Sequence, residues 1–191
     1  MRLFAEAYEA WDRFDHQYAA HRLSQFLPQS DRLDQFLDPV VCQRIHAQVC
    51  SDIEYLGRLI AKGPRSREMV VDLVSNAKRR IREKRYDDAV ARLYRACEAL
   101  SQVALVAARV PIPREGVQAN YLALRHINHP LGEAFRRSPV RMLLSKRNKS
   151  ILAHGYQPLV QADAEQLLDG VLKLLGFADS DLMAFPVFFE S

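Results

Sequence analysis

Residues Arg147 to Gly155 read R-N-K-S-I-L-A-H-G, with an arginine and a histidine seven positions apart. Between Ala134 and Gln161 there is no Asp or Glu, while Arg136, Arg137, Arg141, Lys146, Arg147 and Lys149 all fall there. A guanidinium grips phosphate through planar, paired donors, and imidazole is the side chain that exchanges protons near neutral pH. Together they suit holding and cutting a phosphodiester. RNA carries its own nucleophile, the 2′-hydroxyl. Its cleavage therefore needs a proton acceptor and charge stabilisation on the phosphorane oxygens, but no metal.

On a regular helix Val140, Leu144, Arg147, Ile151 and His154 share one face. The rise from Arg147 to His154 is then ~10.5 Å. Helical side chains lean toward the N-terminus, so Arg147 points away from the histidine. The two flank one phosphate only if the helix breaks or a second copy completes the site across a two-fold axis. For such a dimer, Leu144 and Ile151 on the same stripe offer contact surface.

The elements that carry this motif read as helices throughout. Phe4, Tyr8, Trp11, Phe14 and Tyr18 step at helical spacing and predict one amphipathic helix over about 2–26, broken at Pro28. This aromatic row suits a core or an interface better than a base-stacking platform. Asp38-Pro39 supplies an N-cap and a first-turn proline for a helix ending before Gly63-Pro64, with Val41, Ile45, Val49, Ile53, Leu56 and Ile60 as its apolar face. Another helix spans about Ser66 to Lys84. The most regular stretch opens at Asp87, with Val90, Leu93, Cys97, Leu100, Ala104 and Ala107 as its buried stripe, and ends at Pro111 and Pro113. Residues 114–138 look irregular, with short helical possibilities and two histidines, His126 and His129. Pro139 fits the first turn of the motif helix, and Gly155 and Pro158 fit its stop. Ala164, Leu167, Leu168, Val171, Leu172 and Leu175 make a last helix. The apolar tail Ala184 to Phe189 suits a strand or an extended cover. No βαβ alternation, glycine-rich phosphate loop or internal repeat is present, so the expected class is all-α.

Composition agrees with a soluble helical protein of 191 residues, 49% hydrophobic and 26% charged. No apolar run reaches the ~18 residues of a membrane span, and acids near the N-terminus argue against export, so a cytoplasmic protein is expected. Cys42, Cys50 and Cys97 are three in number and lack a C-x-x-C spacing, which disfavours a disulfide framework or a zinc site. Residues 1–61 hold six Lys/Arg against nine Asp/Glu, whereas the remainder holds 21 against 14. The positive excess lies beside the motif and favours an anionic partner.

The motif, with the upstream helix reading D-A-V-A-R-L-Y-R-A-C-E, resembles the HEPN ribonucleases, all-α domains with an R-x(4–6)-H signature. The wording is closest to the C-terminal nuclease half of type III CRISPR-associated ancillary ribonucleases, the CARF–HEPN proteins. The likeness covers about residues 66–178. It implies a HEPN-like helical bundle over 64–191 behind an N-terminal helical extension, 1–63. It implies Arg147 and His154 as the catalytic pair, Asn148 as an orienting polar group and Glu98 as a nearby acid. Arg141, Lys146, Lys149 and Arg95 are then the RNA-binding cations. Neither cofactor nor metal is expected. Single-stranded RNA and a second copy of the chain are the expected partners. The cyclic-oligoadenylate sensor that controls such nucleases has no counterpart in this sequence.

Other roles stay open for several residues. Glu98, between Arg92 and Arg95, also suits helix-face ion pairs. Lys78, Arg79, Arg80, Arg82, Lys84 and Arg85 read as a solvated helix end first and an RNA-steering patch second. His126 and His129 read as loop residues, and His16, His21 and His46 as structural. The competing functions are a metal-independent endoribonuclease in CRISPR-associated defence and a non-catalytic HEPN-like interaction or RNA-binding module, including a toxin–antitoxin subunit.

Overall fold

The computed structural model describes residues 2–30, 33–147, 158–183 and 185, with the backbone alone for 145–147 and 179. All regular structure among them is helical. The nine α-helices are α1 Arg2–Asp12, α2 His16–Ser30, α3 Pro39–Lys62, α4 Arg67–Arg82, α5 Tyr86–Ala107, α6 Val117–His126, α7 Pro130–Arg137, α8 Val140–Arg147 and α9 Gln161–Leu175. Short 3-10 turns occupy Leu33–Gln35 and Asp179–Asp181. Among the described residues the expected all-α class is what the chain forms. Among the described residues no helix is long and apolar enough to cross a membrane.

The chain divides into two compact units, one of residues 1–64 with 184–191 and one of residues 65–183. In the first, the single helix expected over 2–26 is two helices. Phe14 takes a left-handed conformation (φ 64°), and Asp15 N–H bonds back to Ala10 O at 2.9 Å, which closes α1. Asp15 then caps α2 by accepting from Tyr18 N–H at 3.2 Å. The break swings the aromatic row out of register. Phe4, Tyr8 and Trp11 are buried, whereas Tyr18 is exposed and α2 buries Ala19, Leu23 and Phe26 instead. Pro28 does not stop α2, which runs on to Ser30. Ser30 is buried there, its hydroxyl 2.6 Å from Leu27 O and 2.9 Å from His46 Nδ1.

Helix α3 begins and ends as its sequence predicts. Asp38 accepts from Val40 N–H at 2.8 Å, Pro39 opens the helix, and Gly63 closes it at φ 73°. Ile45, Val49 and Leu56 are buried, but Val41 and Ile60, at the ends of the expected stripe, are exposed. Phe185, from the apolar tail, packs on Tyr8 and Trp11 in this unit; the rest of Ala184 to Phe189 lies outside the described residues.

The second unit is built on α5, which packs against α4, α6, α8 and α9. Its buried line follows Val90, Leu93 and Cys97, then continues through Ser101 and Leu105 rather than the expected Leu100, Ala104 and Ala107. The physical reason is α6. Asn120 donates to Ser101 Oγ at 3.0 Å, Ser101 donates to Glu98 O at 2.7 Å, and Tyr121 OH donates to Cys97 O at 3.0 Å. Burial pushes the Cys97 thiol up to about 12, so it is protonated and inert at neutral pH. Residues 114–138, expected to be irregular, form α6 and α7. Asn128 turns left-handed (φ 55°), His126 ends α6, and His129 caps α7 by accepting from Leu131 N–H at 3.2 Å. His126 is thus the last residue of a helix, while His129 lies in the connecting loop as the cap of α7.

One buried carboxylate gives the first unit a pH signature. Asp52 is fully buried and accepts from Tyr8 OH at 2.5 Å and Gln48 Nε2 at 2.9 Å. Burial raises its pKa to about 6, outweighing the two hydrogen bonds, which lower it. The folded pKa lies above the unfolded one. The contribution to stability is therefore complete below the unfolded value and is lost as pH rises through the folded value. Urea unfolding should show wild-type stability falling between about pH 4 and pH 6 and Asp52→Asn flat there, with the variant about 1–3 kcal/mol more stable at pH 7. An unchanged pH profile in the variant would contradict the assignment.

Candidate functional site

Helix α8 delivers the motif. Ser138 starts it, accepting from Val140 N–H at 3.1 Å, and Pro139 O accepts from Met142 and Leu143 N–H, each at 3.0 Å. Val140, Leu143 and Leu144 turn inward while Arg141 and Met142 face solvent. Val140 presses on α9 where Gly170 leaves room: a Cβ at Gly170 would lie 2.8 Å from Val140 Cγ2. Leu144 is only 2% exposed. The expectation that it offers dimer contact surface is therefore wrong, because that stripe of α8 is already spent on the core of its own unit.

Arg147 is the last residue of α8, and Lys146 precedes it in the same turn. Asn148, Lys149, Ile151, His154 and Gly155 lie outside the described residues. The chain on the far side of the motif is tied to the start of α5. Leu159 N–H donates to Asp87 Oδ2 at 3.3 Å, and Tyr86 OH donates to Gln161 Oε1 at 3.3 Å. Since α8 also packs on α5, one helix anchors both approaches to the motif.

Glu98 and Arg95 sit on α5 and pair with each other, Arg95 Nη1 donating to Glu98 Oε2 at 2.6 Å. Arg92 reaches back one turn to Asp88 at 3.1 Å. The basic run 78–85 is not a uniformly solvated face. Arg80 is only 6% exposed and donates to Glu83 Oε1 at 2.9 Å. It continues a line of buried polar residues, Asp72 and Asn76, spaced by four along α4. A charge count cannot detect this stripe; its signal is the four-residue period of polar residues among apolar ones.

Arg141 opens onto a cleft between α6, α7 and the start of α8, with a volume of about 430 Å³. Ala119, Leu122, Gly132 and Phe135 give it apolar walls, and Gln118, Arg125 and Arg136 join Arg141 at its edges. Tyr121 and Phe135 stack at 3.8 Å beneath. The helices approach closely because Gly132 lacks a side chain: a Cβ there would meet Arg125 N at 2.7 Å. Glu133 accepts from Arg136 Nε at 2.8 Å and Arg137 Nε at 3.3 Å, with Arg125 Nε at 3.5 Å. The hydrogen bond from Arg136 first, then the charges of all three arginines, hold its carboxyl down at about 2. One carboxylate thus faces three guanidiniums, and the surface stays positive at every physiological pH. Arg141 has no ion-pair partner among the described residues. Gln118 and Arg125 were not legible as site residues because residues 114–138 lacked a helical pattern.

Among the described residues no cluster of His, Cys, Asp or Glu is arranged to hold a metal ion. The three cysteines are free.

No curated protein matches the chain. Residues 63–110, which contain α4 and α5, match the family model of the Csm6 HEPN domain, so the likeness to the HEPN ribonucleases is carried by the helix pair on which the second unit is built.

Proposed function

We propose that the chain is a metal-independent endoribonuclease of the HEPN type that cuts single-stranded RNA in CRISPR-associated defence. The observation that carries this is the Csm6 HEPN match over α4 and α5, in a unit whose α8 leads directly into R-N-x5-H. Arg147 stabilises the charge that builds on the phosphorane oxygens. His154 exchanges the proton of the attacking 2′-hydroxyl or of the leaving oxygen, imidazole being the side chain suited to that transfer near neutral pH. Asn148 orients the phosphate or the imidazole. Arg141, Lys146 and Lys149 hold the flanking backbone. Glu98 and Arg95 act as a pair at the edge of the site, since each occupies the other's charge.

On a helix continued through His154 the two side chains stand ~10.5 Å apart along its axis, and two copies of the chain then assemble the site. An arginine from one copy then faces a histidine from the other. Leu144 takes no part in that contact, being buried in its own unit.

Purified protein should cut labelled single-stranded RNA equally with and without EDTA and leave DNA of the same sequence intact, because DNA lacks the 2′-hydroxyl. Arg147→Ala and His154→Ala should each reduce cleavage at least a thousandfold, about the loss expected when a principal catalytic group is removed. Mixed together under conditions that exchange subunits, the two inactive variants should regain activity. Full activity in either single variant would end the catalytic assignment. RNA binding without cutting in the wild type would favour the non-catalytic module, and heterodimers that stay inactive would rule out the shared site.

Asp87 holds the chain just beyond the motif through Leu159 N–H. As a positioning residue it should act on kcat. Asp87→Ala is expected to lower kcat about tenfold with KM and melting temperature nearly unchanged, the loss of roughly one hydrogen bond to a charged group. Asp87→Asn keeps an acceptor and should restore most of the rate. A wild-type kcat in Asp87→Ala would show that this tether plays no part.

A further inference from the structure

The cleft between α6, α7 and the start of α8 is built differently from the motif and needs its own explanation. Its walls are apolar, and its edges carry Arg125, Arg136 and Arg141 against one acid of the lining, Glu115, with Gln118 offering an amide at the mouth. A shallower hollow adjoins it, lined by Pro139 and Met142 and sharing Gln118, Arg136 and Arg141. The two form one continuous groove along the N-terminal end of α8.

We infer that this groove is a nucleotide subsite of the RNA substrate, with a base in the apolar cleft and its phosphate on Arg141 and Arg136. This assignment builds on the ribonuclease function proposed above and names a residue-level contact for its substrate. The occupant is argued from complementarity. A base is a flat apolar body with hydrogen-bonding edges. It suits walls of Ala119, Leu122 and Gly132, with Gln118 able to donate and accept at the mouth. A phosphate suits a rim where Glu133 cancels only part of the arginine charge. A guanidinium has five donors, so the bonds of Arg125 and Arg136 to Glu133 leave others for a second acceptor. A free anion would gain nothing from the apolar walls, and an apolar protein segment would leave the arginine rim uncompensated.

The position along α8 decides which nucleotide is held. Arg141 precedes Arg147 by six residues, a rise of ~9 Å on the same helix. Six residues also turn the helix by about 120°, so the subsite lies off the scissile phosphate and not on it. It grips a flanking nucleotide and so sets both the register of the strand and the preference for a base at one position.

The test uses the full-length His154→Ala protein and a set of single-stranded RNAs carrying one 4-thiouridine at successive positions. Photocrosslinked peptides are identified by mass spectrometry. One RNA position should crosslink to residues 117–125 or 130–142. Removing the base at that position should weaken binding about tenfold, within the range of one well-held base. Ala119→Trp, which fills the cleft, should show the same loss and become indifferent to the missing base. Arg141→Ala, at an exposed site that folding does not need, should lower the salt dependence of log K by about 1. Crosslinks wholly outside those segments, or Ala119→Trp binding and discriminating like its parent, would overturn the subsite. If wild-type protein still cuts RNA in that case, the ribonuclease assignment stands. Crosslinks inside the cleft with a wild type that never cuts would sink the ribonuclease assignment alone. Absence of any RNA binding would remove both.

Discussion

The burial of α5 on several sides is the constraint from which the second unit follows. A helix contacted by α4, α6, α8 and α9 cannot carry large side chains at every contact, and α5 buries Ala89, Ala96 and Ala99 alongside Leu93 and Leu105. Small residues let neighbouring backbones approach, so dispersion contacts accumulate without voids. The same economy appears on α9, where Gly170 receives Val140, and on α7, where Gly132 receives the backbone of α6. Each close approach fixes a helix that bears candidate site residues. The orientation of α8 is set by packing at Val140 and Leu144, N-terminal to the motif.

Polar groups inside this core add direction to what apolar burial leaves loose. The chain from Asn120 through Ser101 to Glu98 O, together with Tyr121 to Cys97 O, fixes the rotation and height of α6 on α5. Hydrophobic packing alone tolerates sliding. A buried amide that loses its partner costs about 1–3 kcal/mol, so slippage is penalised in discrete steps. Because the arginine-edged cleft lies on the outer side of α6, its shape depends on these inward-facing bonds.

Charge is distributed with a similar division of labour. Along the chain from Ala134 to Gln161 there is no acid, so α8 and the motif bring only cations of their own. On α7 a single glutamate organises three arginines without neutralising them. Such exposed pairs add little to stability, but they hold long side chains in place and present spare donors outward. In the first unit the reverse choice was made: a single carboxylate, Asp52, is buried with Tyr8 and Gln48, at a cost that grows as pH rises.

The sequence by itself determined the helical class, both ends of α3, the start of α4 near Ser66, and the motif with its HEPN likeness. Those features are local: a cap is a side chain bonding its own backbone, and glycine declares a left-handed turn. Tertiary structure decided the rest. Phe14, Lys84, Arg109 and Asn128 are all left-handed, and each helix there ends with a bond five residues back, at Asp15, Arg85, Val110 and His129. None of the four is glycine. Asn128, with Pro130 after it, is a local signal for the turn between α6 and α7, but the left-handed Phe14 between α1 and α2 has none of that kind. The strain of a left-handed side chain, ~1 kcal/mol or more at each, is tolerated because the helices it joins gain more by packing on each other. For the same reason the cleft of Gln118, Arg125, Arg136 and Arg141 could not be read along the chain. Its residues come from three short helices whose mutual approach depends on the missing Cβ of Gly132.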